Sequence, residues 1–206
     1  MRVIARIRSQ RHGGTLIIIP DERIDEFLSP NPYVKFKYRF ANEEPRRRFR
    51  TLIVEIANAL AQSYGHLGNP EKEVGWTEYL TSKNQALSRL DESVFEWAHL
   101  VAGMAQVDGA VVITRRLELI GFGAQISGKL EHIDSVAQAL DPEGHEIRKE
   151  RTDCVGTRHH SAYSLCNSLH DVLTVVISQD GTAQLVKWNV NTVTIWEQLS
   201  PSLIEV

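Results

Sequence analysis

The stretch CVGTRHHSAYSL, Cys154 to Leu165, sets a glycine, a threonine, an arginine and two histidines in five consecutive positions; apolar residues then return at helical spacing. It reads as a loop running into a helix that extends to about Leu169. The first amides of a helix lack intrahelical partners and carry a partial positive charge, so a helix start can hold an anion. Gly156 lets a ligand come close to the backbone. Thr157 offers a hydroxyl and an amide, and Arg158 a forked cation suited to phosphate oxygens. His159 and His160 add donors, and charge when protonated. One reading is a phosphate site, with a triphosphate as its natural guest. The other is a plain cap in which Thr157 closes the helix and the cations are solvated.

Downstream, Val172 to Ser178 (VLTVVIS) is a strand, Asp180-Gly181 a hairpin turn, and TAQLVKW and TVTIW two more strands. Upstream, DPEGHEIRKERTD (Asp141 to Asp153) reads as a charged loop and HIDSVAQAL (His132 to Leu140) as a short helix. AVVIT (Ala110 to Thr114) and ELIGFGAQI (Glu118 to Ile126) form a hairpin through Arg115-Arg116. Gly121 and Gly123 share one face of its second strand. They mark a bulge or a close-approaching ligand, or reflect strand packing alone. Just before the hairpin stands Asp108-Gly109-Ala110. A carboxylate there can hold a divalent metal or accept a proton from a hydroxyl, with room for a flat ring beside the two small residues. Asp-Gly is also a common turn whose Asp bonds only its own backbone.

The first hundred residues hold a buried strand at Thr15 to Pro20 and an alternating strand at Tyr33 to Phe40, with Val34, Phe36, Tyr38 and Phe40 on one face. Two long helices follow. One starts at Asn42 to Pro45, buries Leu52, Ile53, Ile56, Ala59 and Leu60, and stops near Gly65. After a polar loop from Gly65 to Trp76, the other spans about Asn84 to Gln106. Its apolar face includes Leu87, Trp97, Val101 and, among others, Phe95. The expectation is an α/β protein with a mixed, mostly antiparallel central sheet flanked by helices. Residues 1–100 would pack their strands and helices on a core formed by residues 101–200, in one globular unit.

Composition narrows the function. The 206 residues are 42% hydrophobic and 24% charged, with a net charge of -3, which gives no reason to expect nucleic acid. The basic run PRRRFR, Pro45 to Arg50, reads as a solvated helix start. Two cysteines without a CxxC are expected to be reduced thiols of a cytoplasmic protein, and no apolar run is long enough for a membrane span. The chain could still be one piece of a longer protein. There is no Walker phosphate loop and no GxGxxG. Adjacent His159 and His160 point to different sides of a helix, which disfavours a two-histidine metal site. Nothing beside Cys154 is arranged to orient it with His159 as a nucleophile.

Taken in order, the two segments resemble the diadenylate cyclase domain family. That family carries Asp-Gly-Ala followed by Gly-Thr-Arg-His-Arg at a helix start, matched here by Asp108-Gly109-Ala110 and Gly156-Thr157-Arg158-His159. HGGTLIIIP, LIGFGAQI and VLTVVISQDGTAQLV look like its opening strand, its strand after the hairpin and its late strand pair. The resemblance covers Arg11 to Pro20 and Val101 to Trp196. The span between looks like an elaborated, sensor-like N-terminal portion. The resemblance implies a bacterial enzyme that joins two ATP into the second messenger cyclic di-AMP, releasing pyrophosphate twice, with Mg²⁺ or Mn²⁺ and a homodimer. By resemblance Asp108 would hold the metal that activates the ribose 3′-hydroxyl. Gly109 and Ala110 would lie against the nucleotide. Gly156, Thr157, Arg158, His159 and His160 would hold phosphates, with Ser178 near the phosphate tail. Three positions depart from the pattern. His160 replaces the family's last arginine, Gln179 an acidic residue after the late serine, and Val107 a histidine before Asp-Gly-Ala. The first two favour the alternative, a nucleotide-binding sensor of the same fold without turnover.

Overall fold

The computed structural model describes residues 2–9, 11–64 and 74–197. A short helix α1 (Arg2–Ser9) leads into β1 (Gly14–Ile19), and a helical turn and α2 (Ile24–Leu28) follow. Next come β2 (Val34–Lys35), β3 (Tyr38–Arg39) and the helices α3 (Glu43–Tyr64), α4 (Trp76–Thr81) and α5 (Gln85–Met104). The rest is β4 (Ala110–Thr114), β5 (Leu119–Ile126), β6 (Ser135–Ala139), β7 (Ile147–Arg151), α6 (Thr157–Ser168), β8 (Leu173–Ile177), β9 (Ala183–Asn189) and β10 (Thr192–Glu197).

The strands form one open mixed sheet in the order β2-β5-β4-β1-β8-β9-β10-β6-β7, with β3 also on β5. Among the described residues only β1 with β4 and β10 with β6 run parallel; the other pairs are antiparallel. The expected fold class, α/β with a mostly antiparallel sheet flanked by helices, is observed. β1, from the N-terminal hundred residues, sits between β4 and β8.

Period-two burial on β1 divides the core. Leu16 faces α1 and α5, packing with Ile7, Trp97, Val101 and Val111. Ile17 and Ile19 face the other side, with Phe27, Ala110, Val112 and Leu165. Between α6 and the far half of the sheet, Tyr163, Cys166, Val176, Val186 and Ile195 form a third cluster. Full burial of an Ile or Leu contributes about 1.5–3 kcal/mol, so these three layers fix both faces of the sheet. α3 packs on α5 through Phe49 stacked on Trp97, with ring centroids 4.1 Å apart.

Several expectations need correction. The expected helix at His132 to Leu140 is strand β6: Val136 and Ala137 are buried, and parallel pairing with β10 decides its conformation. The expected charged loop holds β7, whose Arg148, Lys149, Glu150 and Arg151 are what a solvated edge strand tolerates. The single strand at Tyr33 to Phe40 is two short strands. Gly123 has φ +60, and Lys37 donates its amide to the Gly123 carbonyl between them. Tyr38 leaves the buried face and stacks on Phe122 at the surface. Helices α1 and α4 were not expected. Ile53 and Phe95 project outward from α3 and α5 rather than into the core. The expected stop at Gly65 and most of the loop after it lie outside the described residues.

The two glycines on β5 have a partial answer. The β4–β5 register shifts, as a bulge requires. What comes close is the chain itself: a Cβ on Gly121 would collide with the Tyr38 carbonyl.

Candidate functional site

Helix α5 ends one turn before Asp108, and β4 begins two residues after it. Gly109 joins them at φ +118 with its backbone pressed on β5; a Cβ there would lie 2.6 Å from the Gly123 carbonyl carbon. A side chain at position 109 would therefore be strained and would lift the floor of the site. At the other side, Gly156 caps α6 with extended backbone, and the amides of His159 and His160 turn back to its carbonyl. The cap is thus Gly156 rather than Thr157, which is already helical and leaves its side chain exposed.

These segments meet. Asp108, Gly109 and Ala110 line the same cleft as Thr157 and Arg158. Its volume is about 200 Å³, and it opens between the start of β4, the end of β5 and the first turn of α6. The Asp108 carboxylate is exposed and has no ion-pair partner among the described residues. Arg158 is anchored: its Nη1 donates to the His12 carbonyl at 3.3 Å.

No family model and no curated protein matches this chain.

The other expected residues stand apart from the lining. Gly156 is exposed at the cap. The ring of His159 meets Tyr163 edge-on, 6.2 Å between centroids. Burial holds its imidazole below the ordinary histidine range, partly offset by the nearby Asp180 and Glu197 carboxylates. His160 is not part of the lining and stacks on His132 at 4.9 Å, with its Nδ1 buried and without a hydrogen-bond partner among the described residues. Ser178 bonds across the β8–β9 turn, its amide donating to the Thr182 carbonyl, and its backbone lies close to Gly13. The Asp180 carboxylate accepts the Thr182 amide at 2.9 Å, so it is engaged within that turn.

Five lining residues escaped the sequence reading: Thr15, Ala124, Gln125, Ile126 and Ser161. Ser161 could have been found, since it lies four residues after Thr157 on the same face of a helix. Thr15 and Ala124 are the register partners of Ala110 on either side. Nothing in the sequence states that register.

Among the described residues no group of three or more His, Cys, Asp or Glu is disposed to hold a metal. Asp108 alone suits a Mg²⁺-type ion only when phosphates and waters complete the shell, since such ions commonly take one or two carboxylates and draw their other ligands from substrate. The residues therefore fit a metal that arrives with a nucleotide and not a resident one. The cysteines have no part in the cleft: Cys154 is exposed, while Cys166 is buried and its thiol is pushed up to about 12 by burial. No helix among the described residues is long and apolar enough to cross a membrane.

Proposed function

We propose that this cleft binds ATP and that the protein is a diadenylate cyclase. The observation that carries the reading is the meeting of Asp108 and Thr157-Arg158, distant in sequence, on the rim of one cavity. A carboxylate facing an arginine and a set of helix-start amides suits a nucleotide triphosphate: the cationic side takes phosphate, and the carboxylate stands where a hydroxyl is to be activated. The small residues Gly109 and Ala110 in the lining leave room for sugar or base beside them.

In the proposed reaction the 3′-hydroxyl of one ATP attacks the α-phosphorus of the other. The new P–O bond replaces the bond to pyrophosphate, and the hydroxyl proton leaves to solvent or base. A second such step closes the ring and releases the second pyrophosphate. Arg158 and the Thr157 amide and hydroxyl orient and neutralise the phosphates, and Asp108 orients the attacking ribose. A divalent cation held by Asp108 and the phosphates, Mg²⁺ or Mn²⁺, supplies further charge neutralisation when bound. Small-molecule sites commonly occupy about 300–1,000 Å³, so a cleft of about 200 Å³ is partial, in keeping with a reaction that needs a second copy of the chain to face it.

A second reading is a nucleotide sensor of the same fold without turnover. Two observations favour it: His160 is engaged with His132 outside the cleft lining, and Asp180 is engaged by Thr182 instead of standing free. Incubating the protein with ATP and Mn²⁺ and resolving the products by chromatography separates the two. Cyclic di-AMP with two equivalents of pyrophosphate supports the enzyme. Saturable ATP binding without product supports the sensor, and no ATP binding contradicts both.

A further inference from the structure

A second cavity, larger than the Asp108 cleft, lies elsewhere on the molecule. It is a groove of about 650 Å³ between α1 and α5, within the range of small-molecule sites and sharing no lining residue with that cleft. Its chemistry is ordered along the groove. At one end Arg6 of α1 is fixed by its Nε–H donating to Nδ1 of His99 at 3.0 Å, which places a guanidinium beside the C-terminal part of α5. At the other end α5 presents Glu92, with Asp91 next to it. Seven residues separate His99 from Glu92, about 10 Å along a helix at 1.5 Å per residue. Between them lies Phe95, whose side chain projects into the groove, is 56% exposed and leaves the core that its helix neighbours Trp97 and Ala98 join.

A cation at one end, carboxylates at the other and an aromatic surface between them complement a ligand of the opposite sequence. We propose that the groove binds an elongated zwitterion: a carboxylate paired with Arg6, an apolar chain over Phe95, and an ammonium paired with Glu92. Arg6 can take a carboxylate through its Nη donors while His99 holds Nε, so the existing hydrogen bond pre-organises the fork rather than competing with the ligand. Phe95 adds apolar contact along the chain and a ring face for the ammonium end. A compact α-amino acid brings its two charges too close together to reach both ends; an ω-amino acid or a short peptide with free termini does not. Asp91 also accepts a hydrogen bond from the Tyr79 hydroxyl, so Glu92 is the carboxylate assigned to the ammonium.

The test uses the full chain with 6-aminohexanoate as probe, measured by saturation-transfer NMR and calorimetry. Hexanoate and hexylammonium lack one charge each, and 4-aminobutyrate shortens the spacing. The proposal predicts that 6-aminohexanoate binds at least tenfold more tightly than all three. It also predicts that Glu92→Gln and Arg6→Gln each remove that advantage while thermal melting is unchanged. Equal binding of a singly charged analogue or of 4-aminobutyrate, unaltered binding in either folded variant, or no binding of 6-aminohexanoate up to 10 mM (~2.7 kcal/mol in standard affinity terms) overturns it. The proposal is independent of any nucleotide chemistry, because no residue of the Asp108 cleft enters it.

Discussion

Arg158 is tied to His12: its Nη1 donates to the His12 carbonyl at 3.3 Å, joining the first turn of α6 to the loop that enters β1. Gly13 makes this possible. Its φ is +65, and a Cβ there would stand 2.8 Å from Arg158 Nη1 and 2.6 Å from the Ile177 carbonyl. Gly13→Ala therefore has to move the guanidinium or the strand. The expected outcome is a loss of about 1–3 kcal/mol in stability from backbone strain and contact. A fall in ATP affinity matching that of Arg158→Ala should accompany it, measured by calorimetry beside thermal melts. A folded Gly13→Ala protein that binds ATP like the parent would show the contact to be incidental.

Asp108→Asn keeps the shape of the rim and removes its charge. Product formation should fall by about 10² or more, the usual scale for losing a group that activates a nucleophile. ATP affinity should change much less, because Arg158 and the α6 amides remain. Initial rates of pyrophosphate release and equilibrium dialysis separate the two effects. Turnover within a factor of two of the parent would remove Asp108 from the mechanism.

The parts of the fold that the sequence revealed share a cause. β1, α3, α5 and the β8–β9 hairpin carry strong periodicity or an Asp-Gly turn, signals that are local and survive without tertiary context. β6 and β7 carry neither. Ser135 to Ala139 is built of small residues compatible with helix or strand, and Ile147 to Arg151 is almost wholly charged; the sheet decides both through pairing with β10 and with each other. Phe95 differs for the opposite reason: an apolar residue near the helix stripe is expected in the core, whereas it faces the α1 groove. At the cleft, Asp108 to Ala110 and Thr157-Arg158 were legible because their chemistry is unusual for their local setting. The orientation of His160 was not, since it depends on His132 in another connection.

Tyr163 lies on the buried face of α6, its hydroxyl donates to Gln184 Oε1 at 2.7 Å, and burial pushes its phenol up to about 12. Tyr163→Phe deletes the donor and strands a buried acceptor. A cost of about 1–3 kcal/mol is expected. Urea denaturation of the two proteins provides the check, and equal midpoints with equal slopes would mean that Gln184 finds another partner.

His159 gives the protein a pH dependence of known sign. Burial lowers its pKa below the unfolded value of about 6.5, so the unfolded chain binds this proton more readily than the folded one. The contribution is complete above pH 6.5 and is lost as pH falls from there toward the folded pKa. Stability measured in urea should therefore decline more steeply between pH 6.5 and 5 in the parent than in His159→Gln. Parallel profiles would show that the imidazole is as easily protonated in the fold as outside it.

In the proposed reading the two rims of the cleft, Asp108 on one side and Thr157-Arg158 on the other, hold one nucleotide between them. Amide chemical-shift mapping during titration with ATP and Mg²⁺ tests it directly. The account predicts that Gly109, Ala110, Ala124, Thr157, Arg158 and Ser161 shift together along a single saturation curve. Shifts confined to one rim, or perturbations that leave both rims still while other surfaces respond, would contradict it.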